Sequence, residues 1–112
     1  MIYEDLLPIS RKEAEGAFRS SDIETITVAL LRLVLHDPDA AWLQNTVLNF
    51  IEHPEPMIRG CAATCLGHIA RIHKTIDVER SILALTKLLE DPTCSGKAED
   101  AIEDIQMFAT ES

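Results

Sequence analysis

The stretch Ile51-Glu52-His53-Pro54-Glu55-Pro56-Met57-Ile58-Arg59-Gly60-Cys61-Ala62-Ala63-Thr64-Cys65-Leu66-Gly67-His68-Ile69 sets the architecture of the chain. Two prolines this close cannot lie inside a helix, because each lacks an N–H and clashes with the preceding turn. They end one helix and open the next, since proline fits the first turn of a helix. Beyond them Ile58, Cys61, Ala62, Cys65, Leu66, Ile69 and Ile72 recur three and four apart. That period belongs to a helix with one buried face. It predicts a helix from about Pro56 to His73.

Upstream, Trp42, Leu43, Val47, Phe50 and Ile51 form the stripe of a preceding helix, with Asp37 as its cap and Pro38 in its first turn. Before that, Ile23, Ile26, Leu30, Leu33 and Val34 mark a helix beginning at Ser21 or Asp22, with Glu24 completing Ser-x-x-Glu. Ser10 and Glu13 have the spacing of a capping box, which starts a short first helix ending near Ser20. Downstream, Val78, Ile82, Leu85, Leu88 and Leu89 give a helix over about 77–90, broken by Asp91-Pro92. Ala98, Ala101, Ile102, Ile105 and Phe108 give a sixth over about 95–109. Residues 1–9 and 110–112 are expected to be loosely held. No run alternates at period 2, so the chain reads as all-α. No linker or low-complexity stretch interrupts it, so residues 1–112 read as one domain. Helices this short are unstable alone and must stack.

The chain also repeats itself. Glu52-His53-Pro54 and Glu90-Asp91-Pro92 lie 38 residues apart. Five residues after each proline comes a base, Arg59 or Lys97, and nine after comes Ala63 or Ala101. A period near 40 in a two-helix unit marks helical solenoids. With its acidic-proline turn, Ile58-Arg59, Ala62-Ala63, Leu66-Gly67 and aliphatic Ile69, this stretch resembles the HEAT family. The resemblance implies a right-handed α-α superhelix of about three helix pairs, over about 10–36, 38–73 and 77–109. It covers the middle unit best, the last in part and the first faintly. The family's turn Asp is replaced by His53. Asp104 stands where the middle unit has Leu66, as fits a terminal repeat whose outer side meets water.

Among 112 residues there are 10 Lys+Arg and 19 Asp+Glu, a formal net charge of −9. Such a balance excludes phosphate-backbone binding, which needs surplus cations, and attraction to anionic membranes. It steers basic partners toward the protein. No apolar run is long enough to span a bilayer. The start Met1-Ile2-Tyr3-Glu4-Asp5 shows no signal-peptide pattern, and three cysteines, Cys61, Cys65 and Cys94, fit free thiols in a reducing compartment. A cytoplasmic location is the expectation.

The most pointed feature is the acid arc of the sixth helix. Glu99, Asp100, Glu103 and Asp104 occupy about 140° of its circumference and repel one another. They are candidates for docking Lys and Arg of a partner, or alternatively a solvated face. Glu52, Glu55, Glu90 and Asp91 gather at the turns within pairs and could extend the patch, although each also suits helix capping. Cys61, Cys65 and His68, at i, i+4 and i+7, could hold zinc with a fourth ligand. The cysteines also sit where small core residues belong, so no metal and no cofactor are assigned. His36 and His73 suit helix C-termini, Trp42 suits the core, and the strip Gly60, Ala63, Thr64, Gly67 beside Arg71 suits packing against another helix. No phosphate loop, nucleophile elbow or HExxH occurs.

The reading is a non-catalytic protein-binding module. In size, charge and implied fold it resembles the small acidic immunity proteins that neutralise basic cognate toxins such as nucleases. It would act as a monomer or a 1:1 heterodimer, with no nucleic acid or membrane as partner. A HEAT-repeat scaffold or adaptor is the alternative. A bilin-lyase-like enzyme fits less well, and the helical-repeat glycosylases need a basic groove that the charge contradicts.

Overall fold

The computed structural model describes residues 6–109, and the expectations for residues 1–5 and 110–112 lie outside it. Six helices follow one another with no strand among the described residues: α1 (Arg11–Phe18), α2 (Ile23–His36), α3 (Ala40–Leu48), α4 (Pro56–His73), α5 (Val78–Leu88) and α6 (Ser95–Phe108). Consecutive helices pack as pairs, α1 on α2, α3 on α4 and α5 on α6. The second helices of the pairs also pack side by side, with α4 between α2 and α6.

The core follows the apolar stripes. Leu30, Leu33 and Val34 of α2, Leu43 and Val47 of α3, Ile58, Leu66 and Ile69 of α4, Leu85 of α5 and Ile105 of α6 are fully buried. Three polar side chains, Gln44, His68 and Ser81, are buried with them. Gln44 donates to the Asp77 carbonyl (3.0 Å) and Ser81 Oγ (2.9 Å) and accepts from the Asp77 amide (2.9 Å). This one amide satisfies the start of α5 from α3, as a buried polar group requires.

Several starts and ends depart from the sequence reading. Ser10 and Glu13 do form the capping box of α1. The cap of α2 is Asp22, whose carboxylate takes the Thr25 amide, and not Ser21. The cap of α3 is Asp39 and not Asp37, so Pro38 lies outside the helix. The reason is competition: Asp37 already accepts from Arg11 Nε (2.9 Å), Arg11 Nη2 (3.0 Å) and the Asp39 amide (3.0 Å). Helix α3 stops at Leu48, leaving Phe50 and Ile51 in the turn, where Phe50 meets Phe18 at 4.8 Å between ring centres. Ile72 and Leu89, expected in the core, are 45% and 38% exposed; Ile72 lies in the last turn of α4 and Leu89 is the residue that ends α5. Residues 6–9 are not loosely held. Arg32 donates to the Leu7 and Pro8 carbonyls (both 2.8 Å), and His36 Nε2 lies 2.7 Å from the Leu6 carbonyl.

One side chain ties two turns together. Arg59 donates to the His53 and Pro54 carbonyls of its own turn (3.0 Å each) and to Asp91 of the next turn (2.8 Å). Asp91 also accepts from the Thr93 amide and hydroxyl. The Thr93 donors, and after them Arg59, hold the Asp91 carboxyl down at about 2. A carboxyl with a depressed folded-state pKa stabilises the fold above its unfolded value and loses that contribution as pH falls toward the folded value. The melting temperature should therefore fall between about pH 4 and pH 2. Asp91→Asn should lower it at pH 7 and flatten that part of the profile. A profile unchanged by the substitution would remove Asp91 from this role.

Candidate protein-binding surface

Helix α6 carries the acid arc, and its register on α4 divides the four carboxylates. Ala98, Ala101 and Ile105 are buried, so α6 sits with this stripe inward. Glu99, Asp100 and Glu103 are exposed. Asp104 is not on an outer face. It turns toward α4, where Arg71 Nε lies 3.6 Å from its carboxylate, and both side chains are half-open at 43% and 34% exposure. The cause is on α4: a Cβ at Gly67 would meet Asp104 Oδ2 at 2.9 Å and Ala101 Cα at 3.3 Å, so the glycine makes room for both.

The acids of the turns divide likewise. Glu90 is exposed. Glu55 caps α4 and accepts the Met57 amide (3.3 Å). Asp91 is engaged by Arg59. Of the acids on α6 and in the turns, those exposed to a partner's cations are thus Glu99, Asp100, Glu103, Glu90 and Glu52.

The small-residue strip of α4 packs against α6, as its flatness predicts. Gly60 lies under the Lys97 side chain and Gly67 against Ala101, while Ala63 is fully buried. Between the outer edges of the two helices lies a groove of about 410 Å³. Its α4 wall holds Thr64, His68 and Arg71. Its α6 wall holds Lys97, Asp100, Glu103 and Asp104, with Met107 at one end. Met107 is 74% exposed. His68, buried where it lines the groove, bonds to Arg71, and burial followed by the Arg71 charge lowers its pKa. The sequence reading missed this groove, since its walls come from segments some 30 residues apart.

Cys61 and Cys65 do not gather with His68 into a ligand set. No group of three or more His, Cys, Asp or Glu among the described residues is placed to hold a metal ion. Cys61 points to the Thr27 carbonyl on α2 (3.7 Å), and Cys65 is completely buried. A hydrogen bond between the two thiols, then the Lys97 charge, draws Cys61 down, while the same bond and burial push Cys65 up. Trp42 is half-buried beneath Arg11, whose guanidinium sits 3.9 Å from the ring centre. A second cleft of about 560 Å³ opens between α3 and the start of α5, beside Asn45, Asp77 and Arg80.

The whole fold has a counterpart among solved structures. A chain of the crystal structure of the CDI complex from Cupriavidus taiwanensis LMG 19424 superposes with a TM-score of 0.85 and 26% identity. The match covers 98% of this chain and 99% of that one. No family model matches the chain, and neither does any curated protein. The likeness to the HEAT family therefore remains one of pattern. No helix among the described residues is long and apolar enough to cross a membrane.

Proposed function

We propose that this chain is an immunity protein that binds a basic cognate toxin, such as a nuclease, and neutralises it without catalysis. The observation that carries the reading is the end-to-end match, at 26% identity and a TM-score of 0.85, to a chain of a CDI complex. CDI, contact-dependent inhibition, is a toxin–immunity system. Two properties of this chain favour the immunity side of such a pair. Its net charge of −9 suits capture of a cationic protein. Its exposed acids on α6, Glu99, Asp100 and Glu103, together with Glu90 in the preceding turn, present that charge from rigid elements. Glu55, Asp91 and Asp104 contribute field from positions already bonded within the fold.

The test is co-expression. The reading frames flanking this one are searched for a toxin domain, and that domain is produced in a bacterial host with and without this protein. Growth arrest by the toxin alone, relieved by this chain, with a salt-sensitive 1:1 complex on size exclusion, is the expected result. Equal arrest in both cultures overturns the reading. Binding without relief of arrest identifies an adaptor instead.

A further inference from the structure

We infer that the partner docks in the α4–α6 groove, where Arg71 takes a carbonyl or carboxylate of the partner, Asp100 and Glu103 take its cations, and Met107 supplies the apolar contact. The inference rests on the toxin-binding reading above and deepens it. An acid arc alone would not single out this place, since acids are spread over the surface. What distinguishes the groove is that two exposed acids of the α6 arc, Asp100 and Glu103, line one concavity of about 410 Å³ together with Arg71 and Met107, the most exposed large apolar side chain among the described residues.

The two arginines at either end of α4 show the difference between a closed and an open cation. Arg59 makes a 2.8 Å ion pair with Asp91 and two further bonds to carbonyls, at 20% exposure, so its donors are used within the fold. Arg71 stands 3.6 Å from Asp104 with 43% of its side chain open, in a wall that faces outward. Asp104 and His68 hold the guanidinium from within the fold, and the Arg71 side chain lines the groove. A guanidinium held this way reads planar oxygen acceptors. Met107 at the end of the groove is the most exposed large apolar side chain among the described residues, at 74%. Aromatic residues, Met and Arg are the types that interface cores favour over the rest of the surface. Opposite charges placed side by side also reject partners with the wrong pattern, which an all-acidic face cannot do.

The sign of one substitution separates this from simple charge attraction. If a basic partner is held only by negative charge, Arg71→Gln removes a repulsive cation and tightens binding. If Arg71 contacts the partner, the same change weakens it. The experiment measures dissociation constants for the complex with the toxin domain found in the co-expression test, using the full chain, R71Q and M107S. The expected result is a loss of about tenfold or more for R71Q and about tenfold for M107S. Binding by R71Q that is unchanged or tighter overturns the inference while leaving the immunity function intact. Should R71Q fail to fold, M107S decides by the same criterion, since an exposed side chain is not needed for folding. Failure of the unsubstituted chain to bind or protect would sink the functional reading itself, so the two failures are distinct.

Discussion

Gly67→Val is expected to lower stability by about 3 kcal/mol, which for a domain of this size is a fall of roughly 10 °C in melting temperature. The new side chain would meet Asp104 Oδ2 at 2.9 Å and the Ala101 backbone at 3.3 Å. Asp104 can swing away only by leaving Arg71, and the Ala101 backbone moves only with the whole of α6. Close-packed interiors transmit such a mismatch and do not absorb it. Gly60→Ala is the contrasting case in the same strip. There the nearest atom is the flexible Lys97 side chain, Cδ at 3.0 Å, which can slide aside. Alanine also favours the helix by up to about 1 kcal/mol over glycine. Its melting temperature should match or exceed that of the parent. Thermal unfolding followed by circular dichroism checks both, and equal melting of the two variants would mean that α6 does not seat on Gly67.

Neutralising Glu99, Asp100 and Glu103 together, as Gln, Asn and Gln, should slow association with the proposed basic partner by roughly ten- to a hundredfold at low salt. The net charge changes from −9 to −6, and all of the change lies on one helix. Asp104 is left in place because it is tied to Arg71, and its loss would confuse a packing effect with a steering effect. The difference between variant and parent should close toward 1 M salt, where the Debye length is about 3 Å. Stopped-flow association at several ionic strengths reads this directly. Equal rates at low salt would show that the arc plays no part in encounter. Folding should be unaffected, since all three side chains are exposed.

The helices were legible wherever the signal was local. Pro54 and Pro56 punctuate the chain, and the run from Ile58 to Ile69 has a period that needs no knowledge of its neighbours. The start of α3 was not legible from its own residues. Asp37 and Asp39 are equally good caps in sequence, and the choice is made by Arg11, 26 residues away. Asp104 looked like a solvent-facing substitution for a core leucine, because its helical phase was readable but the glycine opposite it was not. Ile72 and Leu89 have the composition of core and the position of helix ends. The acid arc could be counted in the sequence. The groove beside it could not, since a concavity between α4 and α6 exists only once the two helices have been placed.

Helix α4 touches α2, α3 and α6, so nothing in the middle of the chain can loosen privately. Any fluctuation that uncovers the Cys65 thiol must also separate α4 from its neighbours, and with them one wall of the groove. The groove proposed above for docking would then be lost in the same opening equilibrium that frees α4. By mass action, a guest bound there at a hundred times its dissociation constant would withdraw about 2.7 kcal/mol from that equilibrium, shielding the protein from proteases for as long as the complex lasts.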